Sequence, residues 1–143
     1  MKDHTREYAT AAYRFYAYTG GYKKYINELL GDLKRQKGIG TVSPTEGALI
    51  CKERILEERS AELADLEAVE RSIHIIETLE NGRDILQAVE MVYFKDCQRD
   101  IKRGEIQERV HYAEIHIPAS ERQIYYWLNK ARKIFANERG LRV

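Results

Sequence analysis

Only two prolines, Pro44 and Pro118, interrupt this chain, and each stands next to or just before a serine suited to opening a helix. Ser43-Pro44-Thr45-Glu46 is the stronger start. The serine can cap the amide three positions on, proline fits the first helical position, and Glu46 can reach back to complete a capping box. Nothing then stops a helix before Glu80, so the spacing predicts one element of about 37 residues, roughly 55 Å long. Its Leu49, Leu56, Leu63, Leu66, Val69, Ile73, Ile76 and Leu79 recur at intervals of three, four and seven. That is a narrow, coiled-coil-like stripe. Such a stripe must be buried, either by the N-terminal helices or by a second copy of the chain.

Upstream, Tyr8, Tyr13, Tyr16, Tyr18, Tyr22 and Tyr25 crowd into one segment. Tyr8, Ala12, Phe15 and Tyr22 fall near helical spacing, as do Tyr22, Tyr25, Leu29 and Leu33. Gly20-Gly21 breaks the run, predicting helices near 4–18 and 21–36. The rings are read as packing residues with their hydroxyls at the surface, in preference to a base-stacking role. A loop with two glycines, Lys37 to Val42, precedes the long helix. Asn81-Gly82 is expected to close it, since both residues tolerate the left-handed conformation.

The rest of the chain divides into three shorter blocks. Ile85, Leu86, Val89, Val92 and Tyr93 give the segment from Asp84 to Phe94 one apolar face. A polar turn spans 95–103. A short helix follows from Gly104 or Glu105 to Ile115, with Ile106, Val110 and Ala113 inward. The turn His116-Ile117-Pro118-Ala119 leads to Ser120, which with Gln123 forms a second capping box. The last helix then runs to about Glu138, ended by Gly140. Its apolar stripe is Ile124, Leu128, Ala131 and Phe135, with Trp127 packing beside it. Outside the stripe stand Glu121, Arg122, Gln123, Tyr125, Tyr126, Asn129 and Lys130. Helix, tight turn and polar-faced helix are the pattern of a helix-turn-helix DNA reader.

The segment ASERQIYYWLNKARKIF resembles the last helix of the region-four domain of bacterial sigma factors, through Ser120, Ile124, Leu128, Ala131-Arg132-Lys133 and Phe135. ILQAVEMVYF resembles an earlier helix of that domain. The wider layout is similar to the small RinA-like and ArpU-like transcriptional regulators of phages and prophages. One departure is plain: Ile117-Pro118-Ala119-Ser120 makes a longer turn than the family's. The resemblance covers about 55 residues well and the remainder in outline. It implies a cytoplasmic transcriptional activator of late or packaging genes in a bacterial host, bound to double-stranded DNA, with its N-terminal two-thirds supplying dimerisation or contact to RNA polymerase.

Side-chain chemistry suits those positions. Arg122 can pair with guanine, Gln123 with adenine, and Glu121 can accept from cytosine. Tyr125 and Tyr126 can meet a thymine methyl or a phosphate, while Lys130, Arg132 and Lys133 suit phosphate contacts. Ser120 and Asn129 complete the candidate set. Net charge is only +1, yet its distribution is uneven. Residues 1–94 hold 13 Lys+Arg against 16 Asp+Glu, and residues 95–143 hold 11 against 7. The positive excess lies on the candidate reader.

Little points elsewhere. No run of apolar residues is long enough to span a bilayer, and MKDHTREY does not read as a signal peptide. Cys51 and Cys97 are expected as free thiols. Glu108, His111 and Glu114 share a helix face, which ordinary surface pairing explains, so no metal, cofactor or catalytic residue is expected. There is no phosphate-binding glycine motif. The expected architecture is all-α: residues 1–82 as a helical hairpin for oligomerisation or partner binding, and 83–143 as a helix-turn-helix domain. Two other readings remain: a small terminase subunit-like packaging adaptor, and a helical interaction module without DNA binding.

Overall fold

The computed structural model describes residues 2–37 and 44–142, with side chains described outside 33–37, 44–46, 48 and 51. The glycine loop before Ser43, the capping box around that serine and the thiol of Cys51 lie outside the described residues. Cys97 is a free thiol. Among the described residues the protein is all-α. Its helices are α1 (Asp3–Thr19), α2 (Tyr22–Lys37), α3 (Pro44–Glu58), α4 (Ser60–Glu77), α5 (Gly82–Val89), α6 (Glu105–His116) and α7 (Glu121–Arg139). A π-helical turn, Glu90–Phe94, continues α5. No described helix is long and apolar enough to cross a membrane.

The paired glycines separate α1 from α2 as their spacing predicts. Gly20 takes φ 81° and Gly21 φ 110°, values that β-carbons disfavour. The Gly20 amide closes α1 on the Tyr16 carbonyl at 3.0 Å. On the other side of the corner, a side chain of α4 opens α2. Glu70 Oε1 accepts the Tyr22 amide at 3.0 Å, supplying from a distance the cap that the glycine cannot.

The single helix expected from Pro44 to Glu80 is two helices. Arg59, at φ −114° and ψ 22°, interrupts it, and the second part ends at Glu77. The two parts pack against different neighbours, α3 mainly on α2 and α4 mainly on α7, α5 and α1. Among the described side chains of α3, Ile55 is buried, while Leu49 and Leu56 of the expected stripe are exposed. In α4 burial extends beyond Leu63, Leu66, Val69 and Ile76 to Ser72 and Ala68, which widens the stripe. Helix α4 is therefore a central element packed against α1, α5 and α7, not the seam of a coiled coil.

Asn81-Gly82 also departs from expectation. Thr78, in right-handed helical geometry, ends α4, and Gly82 is the first residue of α5. A β-carbon on Gly82 would stand 2.1 Å from the Ile76 carbonyl oxygen, so close backbone approach demands glycine there.

One core unites the two ends of the chain. Ala9, Ala12 and Tyr13 of α1 meet Val69 and Ile76 of α4, Val89, Val92 and Tyr93, Val110 and Ala113 of α6, and Leu128 and Phe135 of α7. The expected boundary at 82/83 runs through this core. The tyrosine-rich segment packs here as its spacing suggests. Tyr8 stacks on Phe135 and Tyr13 on Tyr93, with ring centroids 6.2 and 6.0 Å apart. The Tyr13 hydroxyl is buried rather than at the surface, and it donates to the Ala131 carbonyl at 2.7 Å. Burial pushes its ionisation well above the usual phenol range. Two ion pairs add to the α4–α7 contact: Arg139 with Asp65 at 2.7 Å and Arg71 with Glu138 at 3.3 Å.

Candidate nucleic-acid interface

The α6–α7 pair rests on a knot of buried arginines. Arg14 of α1 is 7% exposed. Its guanidinium donates to the carbonyls of Tyr93 (2.9 Å), Lys95 (3.2 Å), Asp96 (2.8 Å) and Arg99. These are the last carbonyls of the π-helical turn and of the bend after it, groups that a helix end leaves without partners. A cation there also suits the negative end of the helix dipole. Arg109 of α6 donates to the Val92 carbonyl at 2.7 Å and pairs with Glu105. Glu105 also pairs with Arg99 at 2.8 Å. The hydrogen bond from Arg99 is the largest influence holding the Glu105 carboxyl down to about 2.

The turn between the helices is built as its residues suggest. The Ile117 side chain is buried and its amide bonds the Ala113 carbonyl at 2.8 Å, closing α6. Pro118 stays exposed. Ser120 adopts extended geometry, and its hydroxyl accepts the Gln123 amide at 3.2 Å, which starts α7. Gly140, at φ 77°, stops it. Ile124, Leu128, Ala131 and Phe135 are wholly buried and Trp127 nearly so, each contributing about 1.5–3 kcal/mol of burial except the smaller alanine.

What remains outward on α7 is a single face. At about 100° per residue, Arg122, Tyr126, Asn129, Lys130, Lys133 and Asn137 lie opposite the buried stripe. Arg122, Tyr126, Lys133 and Asn137 are exposed, and Asn129 and Lys130 are partly so. Tyr126 keeps 58% of its surface and Tyr125, on the flank, 37%. Gln123 sits on the opposite flank, half-buried.

Two of the expected site residues are turned away from this face. Glu121 approaches His111 of α6, its Oε2 lying 3.8 Å from the imidazole Nδ1. Arg132 reaches inward and donates to the Tyr93 hydroxyl, with its Nε buried and unpartnered among the described residues. The phosphate-contact role expected for Arg132 conflicts with that engagement. The sequence carried a signal for Arg109, which stands four positions after Glu105, but none for Arg14, whose partners lie some eighty positions away.

A groove of about 730 Å³ runs between α1 and the 97–106 segment past Arg14, Phe15, Tyr18 and Cys97, and none of its lining residues belongs to α7. No known protein family, curated protein or solved structure matches the chain.

Proposed function

We propose that this protein is a sequence-specific DNA-binding transcriptional activator of phage or prophage type, acting on late or packaging genes, with α7 as its recognition helix. One observation carries the reading. A four-residue turn delivers a helix whose inner stripe is sealed and whose outer face offers Arg122, Tyr126, Asn129, Lys130 and Lys133 together. Arg122, in the first turn of such a helix, suits a base edge, and Lys130 and Lys133 farther along suit phosphates. Gln123 and Tyr125 border the face, Ser120 sets the helix start, and Glu121 and Arg132 serve the scaffold more than the groove.

Selection of bound duplexes from random DNA tests this directly. A single enriched motif is expected. Arg122→Ala should weaken binding to it by about 1–3 kcal/mol and relax preference at one base position. Recovery of no motif, or identical affinity in the variant, overturns the reading.

A second reading, a packaging adaptor of the small terminase type, keeps the same face on DNA and adds a ring of subunits. The exposed Leu49, Ile50 and Leu56 of α3 favour it, because apolar side chains left outside a core invite a neighbouring copy. Sedimentation separates the two: a monomer or dimer supports the activator, a multi-subunit ring the adaptor.

A further inference from the structure

Folding joins three metal-ligating side chains that lie apart in the chain. His111 and Glu114 stand one helical turn apart on α6, and Glu121 opens α7 across the turn. His111 Nδ1 lies 3.9 Å from Glu114 Oε2 and 3.8 Å from Glu121 Oε2, and the three donor atoms fall within 4.8 Å of one another. Helical bundles hold transition metals with a carboxylate and an imidazole at i, i+3, and here the same two ligand types share that spacing in the reverse order. A tetrahedral cation with ligand bonds near 2.0–2.2 Å needs its donors about 3.5 Å apart, so small rotamer changes suffice. Among the described residues, no hydrogen bond from elsewhere reaches these three side chains, so binding displaces no competing partner.

We propose that His111, Glu114 and Glu121 bind one divalent first-row cation of the zinc type, with water completing the shell, and that the ion clamps α6 to the first turn of α7. One nitrogen and two carboxylate oxygens suit zinc, cobalt or nickel better than calcium, which takes six to eight oxygens. The site carries two negative charges when the imidazole is neutral, so a divalent ion balances it. The proposal is independent of whether α7 meets DNA.

His74 and Glu77 provide an internal control. They form a comparable pair, at 3.7 Å, on α4. No third donor joins them among the described groups. Calorimetric titration of the metal-freed full chain with zinc chloride should show one site per chain and a rise in Tm. His111→Ala and Glu121→Gln should each weaken binding at least tenfold and abolish the Tm rise, while His74→Ala should change neither. All three side chains are exposed enough for the variants to fold. Absence of zinc binding, equal binding by His111→Ala, or its loss in His74→Ala would overturn the assignment.

Discussion

Helices α1 and α7 and the α2–α3 hairpin all carry apolar residues at helical spacing, yet they end very differently. The first two are stitched together over almost the whole chain length. Thr5 donates to the Arg142 carbonyl at 3.1 Å, Tyr13 to Ala131, and Tyr8 both stacks on Phe135 and donates to Asp65. In the hairpin, Ile26 and Ile55 are buried while Leu49, Ile50 and Leu56 remain in solvent. Evenly spaced apolar residues alone therefore did not decide where the core formed. What decided it was whether several helices could converge on them. The recognition face proposed for α7 thus stands on a foundation that begins at residue 5, while the hairpin leaves several aliphatic side chains outside the core.

That contrast can be broken by substitution. Phe135→Ala should cost about 3–5 kcal/mol by denaturant unfolding, since a wholly buried ring leaves a cavity between Tyr8 and Tyr13. Leu56→Ala should cost under about 1 kcal/mol, as expected of an exposed position. Comparable losses would mean that the hairpin is as well packed as the core. Arg14→Met comes next. It keeps much of the side-chain volume but removes the donors for four carbonyls, and about 3 kcal/mol should be lost. Unchanged stability would show that water replaces the guanidinium without penalty.

The smallest effect concerns acid. Glu105 ionises near 2 in the folded protein against an ordinary 4.5, because Arg99, the Lys102 amide and Arg109 favour its charged form. Its stabilising contribution is therefore complete above about 4.5 and disappears as pH falls toward 2. Glu105→Gln should be less stable than wild type at neutral pH, and the difference should shrink across that acidic interval. A difference constant with pH would mean that the carboxylate is not held in its charged form.

Much of the candidate interface was legible in the sequence because its signals are local. Ser120 and Gly140 mark the ends of α7, and a helical period separates Ile124, Leu128, Ala131 and Phe135 from Arg122, Tyr126 and Lys133. Each of these needs only neighbours within a few positions. The misreadings share an opposite cause. Asn81-Gly82 resembles a helix stop, but the need for Gly82 comes from the Ile76 carbonyl oxygen standing where a β-carbon would be. The break at Arg59 follows from α3 and α4 facing different partners. Arg14 and the approach of Glu121 to His111 depend on tertiary placement, and no spacing along the chain encodes them.

The proposed role of α7 is tested most directly by the salt dependence of binding to a selected duplex. The comparison sets Lys133→Ala, on the outer face of α7, against Lys23→Ala, an exposed lysine on α2. If α7 lies against the phosphates, Lys133→Ala should reduce the slope of log K on log salt by about one, and Lys23→Ala should leave it unchanged. A slope that falls with Lys23→Ala and not with Lys133→Ala would place the nucleic acid on the hairpin and contradict the assignment of α7.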